Sequence, residues 1–297
     1  MATGEIPHEH IEGPAGSPVR LYAQVVVVGV AGAAVGAAFV AALHLVQDGL
    51  WPTHWSTAAH LLVLAGVGVA VTICLKLLGT PGDVELLVNN IHVNGGPEER
   101  RDLRSLIPIS LLCVGSGGGM GPEAPLVQTT GAMGAWLAER FHLSRDDMRV
   151  LTITGMAAGF TVLFGAPFGS AVFALELPHR RGLQYYEALI PAVIGSLSGY
   201  AVYGVLTHNG LGPVWHIGAA PTSLTPGDLG WAVVCGVAGA AVAAGFTYGA
   251  VLLRWVIRPV PADYRPVLCG LALGLLAFWS KYALTFGEAQ ISPLAMA

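Results

Sequence analysis

Residues 21–46 read LYAQVVVVGVAGAAVGAAFVAALHLV, 26 positions without a Lys, Arg, Asp or Glu. Wound as an α-helix at ~1.5 Å per residue, such a stretch reaches about 39 Å and exceeds the ~30 Å hydrocarbon thickness of a bilayer. It predicts a transmembrane helix. Runs of similar character follow at 58–78, 188–206, 229–253 and 267–284. Two more runs carry one charge each and are broken internally. Residues 105–138 hold Glu123 and split at Gly121-Pro122 and Ala124-Pro125, while 150–178 hold Glu176 and are interrupted at Gly165-Ala166-Pro167. Continuous apolar runs rich in Gly and Ala, without the alternation of barrel strands, predict helices throughout.

Hydrophobic side chains make up 54% of the 297 residues and charged ones 11%, with 40 glycines; the mean hydropathy is +0.64. These figures exclude a disordered chain, a collagen-like repeat, a coiled coil and a disulfide-stapled module. Net charge is −4. The basic residues fall in short clusters (Arg100, Arg101, Arg104; Arg140, Arg145, Arg149; Arg254, Arg258, Arg265) with no stripe of interleaved aromatics, so no nucleic-acid partner is expected. Cys74, Cys113, Cys235 and Cys269 lie inside apolar runs without C-x-x-C spacing and read as small buried hydrophobes. Residues 1–20 lack the basic and short apolar regions of a cleavable signal peptide and read as a soluble tail. His8-Glu9-His10 in that tail has no further ligand nearby in sequence, so neither a metal nor a cofactor is expected.

The chain repeats itself. Gly29-Val30-Ala31-Gly32-Ala33-Ala34-Val35 returns as Gly236-Val237-Ala238-Gly239-Ala240-Ala241-Val242, and Lys76, Thr80, Gly82 and Asp83 find counterparts in Lys281, Thr285, Gly287 and Glu288. Duplicated halves with interrupted helices point to a transport protein whose site lies at the repeat interface near the membrane midplane. The expected organisation is a tail at 1–20, a first membrane repeat at 21–206, a connecting loop at 207–228 and an incomplete second repeat at 229–297. Gly29, Gly32 and Gly36 recur at helical spacing, as do Gly236 and Gly239, and both faces are expected to pack closely against other helices.

The stretch Gly115-Ser116-Gly117-Gly118-Gly119-Met120-Gly121-Pro122-Glu123-Ala124-Pro125 carries the most chemistry. Glycines permit an unwound backbone, Pro122 and Pro125 suit a first helical turn, and apolar residues follow. A helix starting near Glu123 inside the membrane aims free N–H groups and a positive dipole end ahead of it, an arrangement that attracts anions. The Glu123 carboxylate is then placed to occupy a permeating anion's position and to leave when protonated. The other reading is an ordinary first-turn glutamate at a membrane surface.

Gly121-Pro122-Glu123-Ala124-Pro125-Leu126-Val127-Gln128, with Gly131, resembles the G-[RK]-E-G-P-x-V-Q-x-G signature of the CLC chloride channels and proton/chloride exchangers. Ala157-Ala158-Gly159-Phe160, Phe164-Gly165-Ala166-Pro167-Phe168-Gly169 and Phe173-Ala174-Leu175-Glu176 are similar to that family's later motifs, in its order and spacing. The resemblance implies an all-α polytopic membrane protein with a CLC-like inverted repeat of broken and re-entrant helices. It implies a chloride or similar monovalent anion moving through each subunit of a homodimer in a lipid bilayer, the inner membrane of a prokaryote. It places the gate on Glu123, anion-binding positions on Gly121, Pro122, Ala124 and Pro125, and the family's first anion-binding signature on Gly79-Thr80-Pro81-Gly82-Asp83, where Thr80 supplies the hydroxyl.

Three departures bear on function. The first signature lacks its isoleucine-proline pair and brings in an acid, Asp83. The position after Glu176, where exchangers commonly carry a glutamate for proton transfer, is Leu177, which favours channel-like conduction over proton-coupled antiport. Glu176 itself has two readings, a step in a proton pathway or a carboxylate paired with Arg180 at the water interface. The family's second-half helix starts and anion-binding tyrosine fall past Ala297, so residues 1–297 alone are expected to lack a complete selective pathway. A hydrolase is not expected, because no Ser/His pair or H-E-x-x-H helix occurs in the spans. A non-conducting assembly subunit is the remaining alternative.

Overall fold

The protein is described by a computed structural model covering residues 18–51, 57–96, 100–179, 186–207, 225–280 and Leu284. Among these, the secondary structure is helical: α1 (Pro18–Leu50), α2 (Thr57–Leu78), α3 (Val84–Asn94), α4 (Arg100–Gly115), α5 (Glu123–Arg140), α6 (Arg145–Phe164), α7 (Pro167–Glu176), α8 (Leu189–Thr207), α9 (Pro226–Ile257) and α10 (Arg265–Trp279), with short 3-10 turns at Tyr186–Ala188 and Ala262–Tyr264. Five helical segments are long and apolar enough to cross a membrane: Val19–Leu50, Ala58–Leu78, Arg145–Phe164, Tyr186–Leu206 and Pro226–Ile257. At ~1.5 Å per residue, α1 and α9 are about 50 Å long, so they exceed a ~30 Å core and must tilt in it or project beyond it, with Arg20, Asp48, Asp228 and Arg254 near their ends.

Each of the two runs is broken, and each break has a local cause. The run 105–138 divides into α4 and α5, separated by residues 116–122, so it breaks at Gly121-Pro122. Ala124-Pro125, expected to break it as well, lies in the first turn of α5, because a proline there loses no helical bond. The run 150–178 divides where Gly165 takes a left-handed conformation (φ 62°) that closes α6, with its N–H bonded to the Thr161 carbonyl; Pro167 then opens α7. At its other end α6 is capped by Ser144, whose hydroxyl oxygen accepts the Asp147 N–H at 3.2 Å. One helix was not anticipated. Asp83 initiates α3, its carboxylate accepting the Leu86 N–H at 2.8 Å, so the acid in the Gly79–Asp83 linker has a structural role as an N-cap.

The core forms around α6, in which fifteen residues are buried, including the unbroken stretch Val150 to Leu163. Glycines and threonines let α5 approach it to backbone contact: a Cβ on Gly155 would strike the Thr130 carbonyl, and one on Gly134 the Leu151 carbonyl. On the opposite side, Gly32 of α1 meets Ala158 and Gly36 meets Val162, while Gly29 lies against Gly195 of α8. The expected packing face of α1 is therefore in place. Its counterpart on α9 is not, because Gly236 and Gly239 have open space around them and no residue of α9 is buried against the other described elements. Among the described residues, therefore, the same small-residue text packs closely in α1 and not in α9.

Helices α2 and α10 hold equivalent positions in the two repeats, and their contacts give the relation between the copies. Gly68 touches Pro266 and Val267, Gly270 touches Leu64, and Gly274 touches Leu61. Numbers rise along one helix as they fall along the other, so the two run antiparallel and the copies are inverted. Lys76 and Asp263 add an exposed ion pair at 2.6 Å across this contact.

Several boundaries and placements differ from the sequence reading. Helix α1 begins at Pro18, inside the expected tail, and α10 ends at Trp279, leaving 15 residues, too few to span the bilayer, in place of the run 267–284. Of the cysteines expected to be buried, Cys235 and Cys269 are exposed and Cys74 and Cys113 only partly covered, since no residue of α9 is buried among the described elements and α10 contacts chiefly α2. The histidine-containing tail, most of the connecting loop and the repeat residues Lys281, Thr285, Gly287 and Glu288 lie outside the described residues.

Candidate anion site

Between α4 and α5 the chain satisfies one helix end and leaves the other open. The carboxyl end of α4 is closed: the Gly117 and Gly118 N–H groups donate to the Val114 and Cys113 carbonyls at 3.0 and 2.9 Å, and Trp51 Nε1 donates to the Gly115 carbonyl at 3.1 Å. Gly117 has φ 90°, a conformation that favours glycine, and packs against the Leu284 backbone.

The amino end of α5 is uncapped. Its N-cap is Pro122, which makes no side-chain capping bond, and the first helical bond runs from the Leu126 N–H to the Pro122 carbonyl at 3.1 Å. Four residues normally offer free donors at a helix start. Here Pro122 and Pro125 have no N–H, so the helix aims only the donors of Glu123 and Ala124 outward. Of the anticipated positions, Ala124 thus brings a donor, while Pro122 and Pro125 fix the shape of the turn. The Glu123 N–H joins that of Ala124 as a donor, so Glu123 contributes a backbone donor as well as its carboxylate.

The Glu123 side chain turns back over this end. Its carboxylate occupies the space that a Cβ on Gly121 would take, with Glu123 partly buried. No ion pair to Glu123 occurs among the described residues. A negative group lying across a helix start is stabilised by the dipole and by the free N–H groups. The start itself is held firmly: Leu126 is fully buried in a cluster with Phe39 of α1 and Leu163 of α6, flanked by Ile107 and Leu111 of α4.

The other expected site residues lie elsewhere. Thr80 is exposed in the linker from α2 to α3, and no hydrogen bond among the described residues joins it to the α5 end. The α3 start near it is already occupied by Asp83. Leu87 of α3 and Val127 of α5 belong to one buried cluster, and Gly96, just after α3, lies against Ala135 of α5. Glu176 ends α7, exposed, where with Val172, Leu175, His179, Tyr186 and Leu189 it lines a cavity of about 400 Å3. Its expected partner Arg180 lies outside the described residues.

Two inverted copies, interrupted helices and an uncapped helix start place this molecule in the broken-helix class of membrane proteins. The chain belongs to the voltage-gated chloride channel family, whose model matches residues 84–297. It is similar to the chloride/fluoride channel protein of Pseudomonas syringae pv. tomato, 33% identical over 196 residues that make up 63% of this chain and 39% of that protein. It is also similar to the H+/Cl− exchange transporter ClcA of Vibrio vulnificus, 28% identical over 197 residues, 60% of this chain and 40% of that one. Among solved structures, a slow cyanobacterial Cl−/H+ antiporter superimposes with a TM-score of 0.75 at 18% identity, covering 92% of this chain and 67% of that chain. A CLC-type fluoride/proton antiporter gives 0.72 at 23% identity, covering 89% and 66%. These two likenesses bear on the fold. The chain spans about two fifths of the length of the curated relatives named here.

Proposed function

We propose that the protein carries a small monovalent anion, chloride first, across the inner membrane of a prokaryote through a pathway gated by Glu123, and that it works as a homodimer. The observation that carries this reading is the Glu123 carboxylate lying across an α5 start that has no side-chain cap. A carboxylate and a halide compete for the same two N–H groups and the same dipole, so one must leave for the other to bind. Gly121, Pro122, Ala124 and Pro125 form the turn that presents those donors, while Thr80, exposed in the α2–α3 linker and not bonded to the α5 end, is a candidate anion ligand apart from it. Protonation removes the charge that holds the carboxylate in place, so flux rises as pH falls. The test is Glu123→Gln in the full protein in liposomes: the variant should be fast and flat across pH, and an unchanged rate and pH response would return Glu123 to a structural role.

Conduction is channel-like in this reading, because Leu177 stands where an exchanger places its second glutamate. A proton-coupled antiporter is the second reading. It is favoured by Glu176, an exposed acid that lines a cavity together with His179, and by relatives described as H+/Cl− exchangers. A chloride gradient imposed on liposomes separates the two, since only the antiporter moves protons uphill. A third reading, a non-conducting assembly subunit, predicts no flux in any of these assays.

A further inference from the structure

Helix α3 is tied down by polar bonds at one end only. Its carboxyl end is gripped by α6: Arg149 Nε donates to the Ile91 carbonyl at 3.1 Å and Nη2 to the His92 carbonyl at 3.4 Å, while the Thr152 hydroxyl donates to the Gly95 carbonyl at 3.0 Å. The fit is close, because a Cβ on Gly95 would strike the Arg145 carbonyl, and one on Gly96 the Ala135 side chain and the Thr152 hydroxyl. A last turn leaves carbonyls short of partners, and a guanidinium there also suits the negative end of the helix dipole. The Arg149 side chain is 15% exposed, whereas Asp146, which it meets at 2.7 Å, is 87% exposed.

The amino end has nothing comparable. Asp83 caps α3 from within the same segment, and residues 80–86 make no hydrogen bond to another element among the described residues. Gly79, where the linker leaves α2, takes φ 91° with no neighbour that a Cβ would meet, so the chain there is free to turn. Along the helix, Leu87 and Ile91 belong to a buried cluster with Val150 and Ile153 of α6. Apolar packing attracts without direction and lets a short helix slide or roll, so the directional bonds from Arg149 and Thr152 set its register. The 11 residues of α3 make a rod of about 16 Å, and a rod held at its carboxyl end carries its amino end with it.

We propose that Arg149 is a positioning residue for the anion pathway: by fixing the carboxyl end of α3 on α6, it sets where the linker before Asp83, and Thr80 on it, stands. The inference rests on the reading of Thr80 as an anion ligand. Arg149 itself meets carbonyls, so it acts on that linker through α3. Its planar fork matters beyond its charge, because a lysine keeps the charge at the helix end but offers no matched pair of donors to two neighbouring carbonyls.

The test uses the full protein in liposomes and compares Arg149→Lys, Arg149→Met and Thr152→Val with Asp146→Asn, which removes only the exposed ion pair. Amide hydrogen exchange over residues 84–96 should quicken about 10- to 100-fold in Arg149→Met, from loss of charge-assisted bonds, and less in Arg149→Lys and Thr152→Val, with α5 unchanged. Arg149→Lys and Thr152→Val keep the measurement available where Arg149→Met does not fold. Half-saturating chloride should rise about 3- to 10-fold in these variants at little cost in maximal flux, as in Thr80→Ala, and Thr80→Ala with Arg149→Lys should be no worse than the poorer single variant. Unchanged exchange over 84–96 would overturn the proposal. So would faster exchange with unchanged half-saturation while Thr80→Ala raises it. If Thr80→Ala itself leaves half-saturation unchanged, the ligand reading of Thr80 falls, and with it the pathway role of Arg149, even where exchange shows that Arg149 holds α3.

Discussion

Gly121→Ala separates the position of the Glu123 carboxylate from its presence. Gly121 is not among the glycines with positive φ, so its backbone accepts alanine. The added methyl collides with the Glu123 carboxylate and with nothing else as closely, and a flexible side-chain end is what must yield. The substitution thus pushes the carboxylate off the α5 start while leaving the charge in the protein. A partly buried carboxylate at a helix start is stabilised by about 1–2 kcal/mol, so displacing it shifts the blocked-to-open ratio about 5- to 30-fold. Chloride efflux from liposomes at neutral pH should rise toward that of Glu123→Gln. Under any condition in which the unsubstituted protein already conducts at its maximum, Gly121→Ala and the unsubstituted protein should converge. Combining Gly121→Ala with Glu123→Gln should add nothing. If Gly121→Ala behaves as the unsubstituted protein at every pH while Glu123→Gln does not, the carboxylate blocks from somewhere else and the geometry of the α5 start is irrelevant to gating.

Three further outcomes follow from the packing and the site. Gly155→Leu forces a side chain into the Thr130 carbonyl and should cost about 3 kcal/mol or more, seen as loss of folded protein on size-exclusion chromatography. Lys76→Met removes an ion pair whose side chains are 59% and 54% exposed, and should move the unfolding midpoint by the equivalent of less than about 1 kcal/mol. A chloride gradient should drive no uphill proton movement in liposomes, read with a pH electrode, and stoichiometric pumping would reverse the choice between channel and antiporter.

Hydropathy and breakers are local properties, and the features that depend on them were legible in the chain. The long apolar runs, the divisions at residues 116–122 and at Gly165-Ala166-Pro167, and the helix start at Glu123 all follow from which residues can wind, cross lipid or stop a helix. The signature around Glu123 led to the family that the comparison with known proteins then showed. Helix α3 escaped notice because its 11 residues include three asparagines and are too few for a clear periodic signal. Its start depends on one carboxylate reaching a backbone N–H three residues on.

Contacts between distant segments belong to the tertiary structure. The heptapeptide Gly-Val-Ala-Gly-Ala-Ala-Val occurs in both α1 and α9, yet Gly29 lies against Gly195 while Gly236 touches nothing among the described residues. Identical text has different surroundings because the partner of a small apolar face is set by where the fold places its helix and not by the face itself. The inversion of the repeats is visible only in the antiparallel contact of α2 with α10. Sequence alone placed an acid beside a helix start, where it could have faced the surface or the pathway. Only the fold shows the side chain turned back over Gly121 at the uncapped α5 start, a choice that residue type and spacing leave open.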